Sequence, residues 1–273
     1  MHRSTLALAS LIVVAACTKP AEKPAEAADT AAPAPAAAPA PPPPPPAQAI
    51  VTVIYKWPKS PAAFEKYYAK THLPLVSSLQ QEIGFTKAEL TRFTTSLDGK
   101  KPGFYRQAEL YFNSLDDAKK GMATPGFKKV GDDLKNFATG GFLGMVAVET
   151  GDKSETACPA LVTVIYNQPK DPAAFESYYS ATHLPLVGGG QAEIGFVRAD
   201  LTKFDSNLDG SPPAEYRQAE LCFPSMASLK KGTATPAFKK VGDDLKNFAT
   251  GGLFGLIGEQ KERRGRSDRR DPS

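Results

Sequence analysis

The feature that most constrains this chain is a 15-residue block that occurs twice without change. FKKVGDDLKNFATGG spans Phe127 to Gly141 and returns at Phe238 to Gly252. The same offset of 111 residues relates Val51-Thr52-Val53-Ile54-Tyr55 to Val162-Thr163-Val164-Ile165-Tyr166. His72 maps onto His183, Gly84 onto Gly195 and Tyr105 onto Tyr216. A repeat that never slips marks two copies of one structural unit. Each copy is roughly 105 residues, an ordinary domain size. The expected domains are 50–150 and 157–260, joined by the short polar stretch Thr150 to Thr156.

The flanks read differently. Arg3 precedes an uncharged apolar run, Leu6 to Ala16. That run is shorter than the roughly 20 residues a spanning helix needs, and it suits a signal peptide over residues 1–16. It ends Val14-Ala15-Ala16-Cys17, which resembles the lipobox of bacterial lipoproteins. That resemblance implies lipidation of Cys17, with Thr18 in place of the Asp that retains such proteins at the inner membrane. The expected location is the cell envelope, anchored in the outer membrane and facing the periplasm. An ordinary signal peptide with an incidental Cys17 is the alternative. Residues 17–49 are nearly all Ala, Pro, Glu and Lys, without an aromatic residue, so they predict an extended, disordered tether. Lys261 to Ser273 carries six basic against three acidic residues, most of the formal net charge of +4. It predicts a basic disordered tail, and the remaining near-neutral domains offer no basic face for nucleic acid.

Within one copy, Ile50 to Lys56 has strand composition, and Pro61 opens a helix carrying Phe64, Tyr67, Tyr68, Thr71 and His72 on one stripe. Pro74 is expected to end it. Phe85 to Thr94 and Phe104 to Phe112 predict strands around an Asp98-Gly99 turn. Ser114 caps a second helix, broken near Pro125 and stopped at Gly140-Gly141, before a last strand from Phe142 to Glu149. The order βαββαβ is the α+β, ferredoxin-like plan.

Such a sheet carries helices on one face only. Alternation assigns Arg106, Ala108, Leu110 and Phe112 to the helices, and Tyr105, Gln107, Glu109 and Tyr111 to the opposite face. Packing the two open faces together within one chain would enclose a pocket between the sheets.

Each copy resembles an EthD domain of the dimeric α+β barrel superfamily. The carrying residues in copy one are Phe64, Tyr67-Tyr68, His72-Leu73-Pro74-Leu75-Val76, Tyr105-Arg106, Ala108-Glu109-Leu110, Asn136-Phe137 and Gly140-Gly141. Copy two has the same residues 111 positions later, from Phe175 to Gly252. The resemblance implies a barrel made from two subunits, here a monomeric pseudo-dimer or a homo-oligomer. It also implies oxidoreductase-like or degradative activity on a small organic molecule. Asp171 fits the family's helix start before Pro-x-x-Phe, whereas copy one has Ser60.

From that motif, His72 and His183 are the candidate catalytic acid–base residues, since imidazole titrates near neutrality. Glu109 and Glu220 are their candidate carboxylate partners. The other reading is that each histidine caps the end of its helix. Tyr55, Tyr68, Gln107 and Glu109, with Tyr166, Tyr179, Gln218 and Glu220, are the candidate ligand-binding residues. One histidine per copy cannot supply the ligands of a zinc site, so no metal is expected. There is no dinucleotide fingerprint, and the cofactor is left open. The copies differ at Trp57/Gln168, Phe104/Glu215, Tyr111/Cys222 and Ser77-Ser78-Leu79/Gly188-Gly189-Gly190. In the ferredoxin-like plan the first and third strands are neighbours, so Cys158 and Cys222 can meet in a disulfide; two separate thiols is the alternative. Two functional classes follow: a membrane-tethered enzyme using a histidine as acid or base, or a non-catalytic envelope lipoprotein binding an apolar molecule or a partner protein.

Overall fold

The computed structural model describes residues 47–150 and 158–264. The signal segment, Cys17, nearly all of the tether, most of the inter-domain join and residues 265–273 lie outside the described residues.

The first copy runs β1 (Ala49–Tyr55), α1 (Pro61–Tyr67), a wide π-helical turn (Tyr68–His72), α2 (Leu73–Ser78), α3 (Gln80–Ile83), β2 (Lys87–Ser96), β3 (Arg106–Phe112), α4 (Leu115–Met122), α5 (Pro125–Asp133) and β4 (Phe142–Glu149). The second runs β5 (Ala160–Asn167), α6 (Pro172–Tyr178), a matching π-helical turn (Tyr179–His183), α7 (Leu184–Ile194), β6 (Arg198–Asn207), β7 (Glu215–Phe223), α8 (Met226–Thr233), α9 (Pro236–Asp244) and β8 (Leu253–Arg264). Both first helices are capped the same way. Ser60 Oγ accepts from the Ala63 N–H at 3.3 Å, and Asp171 Oδ1 from the Ala174 N–H at 3.0 Å. The substitution of Ser for Asp keeps the cap, because either side chain supplies the acceptor that the first turn lacks.

Pro74 does not end its helix, contrary to expectation; it is the second residue of α2. The turn before it is widened, with the Leu73 N–H donating to Tyr68 O five residues back. A proline brings no N–H and crowds the carbonyl four residues earlier, and a widened turn accommodates both defects. At the next proline the helix does break, as expected. Thr124 accepts from the Phe127 N–H at 3.1 Å and starts α5 with Pro125 in its first turn.

The eight strands close into one barrel in the order β1-β3-β2-β8-β5-β7-β6-β4, every neighbour antiparallel. Each copy contributes four consecutive positions, with two seams, β2·β8 and β4·β6, between copies. The pseudo-dimer is therefore complete within a single chain. β8 runs to Arg264 and pairs Lys261 with Leu90 and Arg264 with Lys87. The stretch expected to begin a disordered tail at Lys261 is thus strand for its first four residues, because β2 needs backbone partners along its length whatever the side chains.

Helices cover the outer face of each half-barrel. Val51, Leu110, Phe112, Ala88 and Val130 form one apolar layer there, and Val162, Leu221, Phe223, Phe196 and Val241 its counterpart. The barrel interior is a separate core holding Ile50, Ile54, Phe93, Phe104, Tyr111, Met145, Ile165, Phe204 and Leu256. Tyr105 departs from the expected alternation. Its N–H donates to Tyr55 O at 2.8 Å although Tyr55 already faces Arg106 in register, so two residues oppose one. That bulge turns Tyr105 and Arg106 to the same side. Tyr105 packs edge-on against Phe64 at 5.1 Å, and both Tyr105 and Arg106 bond Glu65. Cys158, two residues before β5, forms a disulfide with Cys222 of β7, with Cα atoms 5.3 Å apart. No helix among the described residues is long and apolar enough to cross a membrane.

Candidate functional site

Two cavities contact the histidines, and both lie between the outer face of the sheet and its covering helices. The expected pocket between the sheets is thus displaced to the other face: large side chains such as Tyr111, Phe93 and Met145 fill the barrel, while the helices stand off from the sheet. The second-half cavity measures about 670 Å³ and is lined by Val162, Val164, Tyr166, Tyr179, His183 and others. The first-half cavity, about 100 Å³, is lined by the equivalent residues, including Tyr55, Tyr68 and His72. Six expected site residues are therefore assembled, three at each cavity. Gln107, Glu109, Gln218 and Glu220 line neither; they meet one another inside the barrel.

His183 sits at the last position of the widened turn, directly before α7, and is buried. Its Nδ1 is 2.8 Å from Asp244 Oδ2, on the last residue of α9. The other carboxylate oxygen accepts from Tyr178 Oη at 2.8 Å and from Asn247 Nδ2 at 2.9 Å. The first half repeats this arrangement with His72, Asp133, Tyr67 and Asn136. Burial would raise the Asp244 pKa, but the hydrogen bonds from His183, Tyr178 and Asn247 outweigh it and hold the carboxyl below its usual range. Burial lowers the His183 pKa, and the Asp244 contact offsets only part of that. Near pH 7 the imidazole is neutral. Nδ1–H donates to the anionic Asp244, so Nε2 carries a lone pair, and it makes no hydrogen bond within the protein. Phe248 supports the ring, with centroids 4.6 Å apart. Its position is thus fixed by an ion, a phenol, an amide and an aromatic face.

Tyr179 stacks on His183 at 5.6 Å between centroids, and its buried hydroxyl has no hydrogen-bond partner. Arg217 lies 5.2 Å from its ring and is held by Glu176 at 2.7 Å. Burial pushes the Tyr179 phenol up, so it stays protonated and able to donate. A buried donor without a partner costs free energy, roughly 1–3 kcal/mol. The site therefore holds one unpaired donor and one unpaired base at the wall of a largely apolar cavity, whose other polar lining residues include Thr150, Gln191 and Arg198.

The histidines' carboxylate partners are Asp133 and Asp244, not Glu109 and Glu220. The signal for them was the block repeated without change, which contains Asp133 and Asn136, Asp244 and Asn247. Leu97 and Leu208, at the β2–β3 and β6–β7 hairpins, were also missed. Each lines the cavity of the opposite half.

Inside the barrel, Gln107 Nε2 donates to Glu220 Oε1 at 3.2 Å and Gln218 Nε2 to Glu109 Oε1 at 3.0 Å, a reciprocal pair across the two halves. Glu89 and Asp200 stand directly opposite Glu109 and Glu220 on the neighbouring strands. Burial, then the repulsion of Glu89, pushes the Glu109 carboxyl from 4.5 up to about 8, and burial, then the repulsion of Glu109, raises Glu220. Among the described residues no group of three or more His, Cys, Asp or Glu side chains is placed to hold a metal ion.

The EthD domain profile matches residues 56–141 and 167–252. The chain belongs to the EthD family. Each match takes in the two middle strands of one half-barrel with its histidine, aspartate and covering helices. An uncharacterized 11.0 kDa protein of Rhodococcus erythropolis, encoded in the thcB-thcC intergenic region, is 41% identical over 100 residues. That alignment covers 37% of this EthD chain and 93% of the relative, so the relative corresponds to one copy. Among solved structures, a candidate monooxygenase of Fusobacterium nucleatum matches with a TM-score of 0.54 at 12% identity, over 80% of this chain and 95% of the other. That likeness is one of fold. An EthD family protein of Bacillus halodurans is 26% identical over 39% of this chain and 99% of its own, with a TM-score of 0.33.

Proposed function

We infer that this EthD protein is an enzyme that binds a small organic molecule between sheet and helices and uses a histidine held by an aspartate as acid or base. The observation carrying this reading is the His183–Asp244 pair at the wall of an apolar cavity, with Nε2 unbonded and the Tyr179 hydroxyl unpaired beside it. A neutral imidazole buttressed at Nδ1 takes a proton at Nε2 from an O–H or an acidified C–H, and the aspartate stabilises the imidazolium that forms. Tyr179 donates to the oxygen on which negative charge develops. Deprotonation of a phenol, an enol or the carbon beside a carbonyl is the chemistry these groups support.

The protein works outside the cytoplasm, tethered through Cys17 to the outer membrane on its Pro/Ala spacer. The disulfide supports that location, because such bonds persist in oxidising compartments.

The test is thermal-shift screening of the full chain against phenols, enols and cyclic ketones, followed by mass spectrometry of each incubation. A compound that stabilises the wild type and is changed chemically, with turnover reduced about 10²–10⁴-fold in His183→Ala, supports an enzyme. Binding without change, equal in wild type and in His72→Ala/His183→Ala, would establish a tethered binding protein instead.

A further inference from the structure

Every residue lining the first-half cavity has its counterpart 111 positions away in the wall of the second-half cavity, which adds Thr150, Val197 and Arg198, yet the volumes are about 100 and 670 Å³. Among these paired positions, the one difference in side chain is Ser77, replaced by Gly188. Two further changes follow it, Ser78 to Gly189 and Leu79 to Gly190. In the first half, Leu79 packs against the outer apolar core and the helix breaks there, with φ −102° and ψ 4°. In the second half α7 runs unbroken from Leu184 to Ile194, through three consecutive glycines.

Glycine inside a helix weakens it, because it gives up more backbone freedom than other residues. Such glycines are usually explained by a close approach of neighbouring atoms. Here a Cβ on Gly188 or Gly189 would meet nothing within 4 Å. Packing does not require these two, whereas a Cβ on Gly190 would lie 3.0 Å from Ile194 Cδ1 and 3.4 Å from Ala237 Cβ. What they leave is room: Gly188 lines the large cavity, and Gly189 and Gly190 line an adjoining groove of about 460 Å³ between α7 and α9. The mouth differs as well. Val197 lines it and is 44% exposed, where the first half has Thr86, whose hydroxyl is tied to Tyr111 O at 3.1 Å.

We propose that the two halves have divided their roles: the second half alone takes the ligand, a largely apolar neutral molecule with one oxygen or N–H group, and the first half is a closed structural copy. This rests on the reading of the His183 cavity as the functional site. A volume of about 670 Å³ suits an organic molecule of two to three rings, whereas 100 Å³ suits a few waters at about 30 Å³ each. The ligand is neutral because no unpaired cation or carboxylate lines the cavity: Arg198 is held by Asp200 at 2.7 Å. Its polar group lies against Tyr179 Oη and His183 Nε2, and its apolar remainder against Val187, Phe238 and Leu97.

The test is a titration of the full chain with N-phenyl-1-naphthylamine, a neutral two-ring-system fluorophore carrying one N–H, read by fluorescence and calorimetry. One equivalent per chain is expected. Gly188→Ser/Gly189→Ser/Gly190→Leu weakens binding at least ten-fold. Ala219→Leu, which fills the cavity floor from the sheet, does the same without touching α7. Ala108→Leu, its first-half counterpart, changes nothing. Unfolding midpoints confirm that each variant is folded. Two equivalents in the wild type, no binding, or loss of binding through Ala108→Leu rather than Ala219→Leu would each overturn the proposal. These outcomes are separate from the catalytic reading, which fails only if His183→Ala leaves turnover intact.

Discussion

The backbone N–H of Leu97 donates to Gly255 O at 3.0 Å, so the hairpin of the first half is fastened to the last strand of the second. Its side chain lines the cavity of His183, and Leu208 crosses in the opposite direction, bonding Gly144 O at 3.0 Å. Each half thus supplies a wall to the other's cavity. Leu97→Ala should cost about 1–2 kcal/mol at this half-buried position and shift ligand preference toward bulkier molecules. Leu208→Ala should carry a similar stability cost and leave ligand preference unchanged. Denaturant unfolding and binding titrations of the two variants check this.

Asp244→Asn should remove the anion that holds His183 without removing its bulk. The His183 pKa, already below 6.5 through burial, should fall further, because the partner that partly offset burial becomes neutral. Nitrogen-detected NMR of the imidazole should report Nδ1–H in the wild type and a mixed or inverted tautomer in the variant. Turnover, once a substrate is known, should fall with it.

Tyr179→Phe removes a buried hydroxyl that has no partner. The expected result is unchanged or raised stability, by up to about 1 kcal/mol, together with weaker ligand binding. A clear loss of stability would mean that the hydroxyl bonds within the protein.

The Glu109 and Glu220 carboxyls are neutral in the folded barrel and ionised once unfolded, at neutral pH. Their folded pKa values are raised, to about 8 for Glu109, so the stability they contribute is complete below about 4.5 and is lost as pH rises from there through the folded values. Urea midpoints should decline over that interval, and Glu109→Gln/Glu220→Gln should flatten the decline.

The Cys158–Cys222 bridge closes a loop with a sequence separation of 64. Constraining a loop of that length in the unfolded chain stabilises the fold by about 4 kcal/mol in the chain-entropy account. Reduction, or Cys158→Ala/Cys222→Ala, should lower the unfolding midpoint accordingly.

The repeat, the strand order and the pairing of two halves were legible in the sequence because they rest on periodicity and on a fixed offset. The family resemblance singled out the histidines as candidates, and each lines a cavity in the structure. The cavity's side of the sheet was not legible. Alternation separates Gln107 and Glu109 from Ala108 and Leu110, but it does not say which face retains empty space. That depends on the summed volumes of eight strands' inward residues, and Tyr111, Phe93 and Met145 fill the barrel. The bulge at Tyr105 was invisible for a similar reason, since one extra residue in a strand leaves no mark in composition. The aspartate partner of the histidine lay in plain view within the repeated block. Its role emerges only when the end of α9 is brought against the widened turn before α7.

The barrel's seam between β2 and β8 joins residue 87 to residue 264, the second strand in the chain to the eighth. β8 is synthesised after the other seven strands, so through most of synthesis β2 has an open edge, as does β4 until β6 arrives. Open edges recruit other strands, and two nascent copies could exchange halves. A truncation that removes β8 would leave an adhesive half-finished ring rather than a smaller working protein.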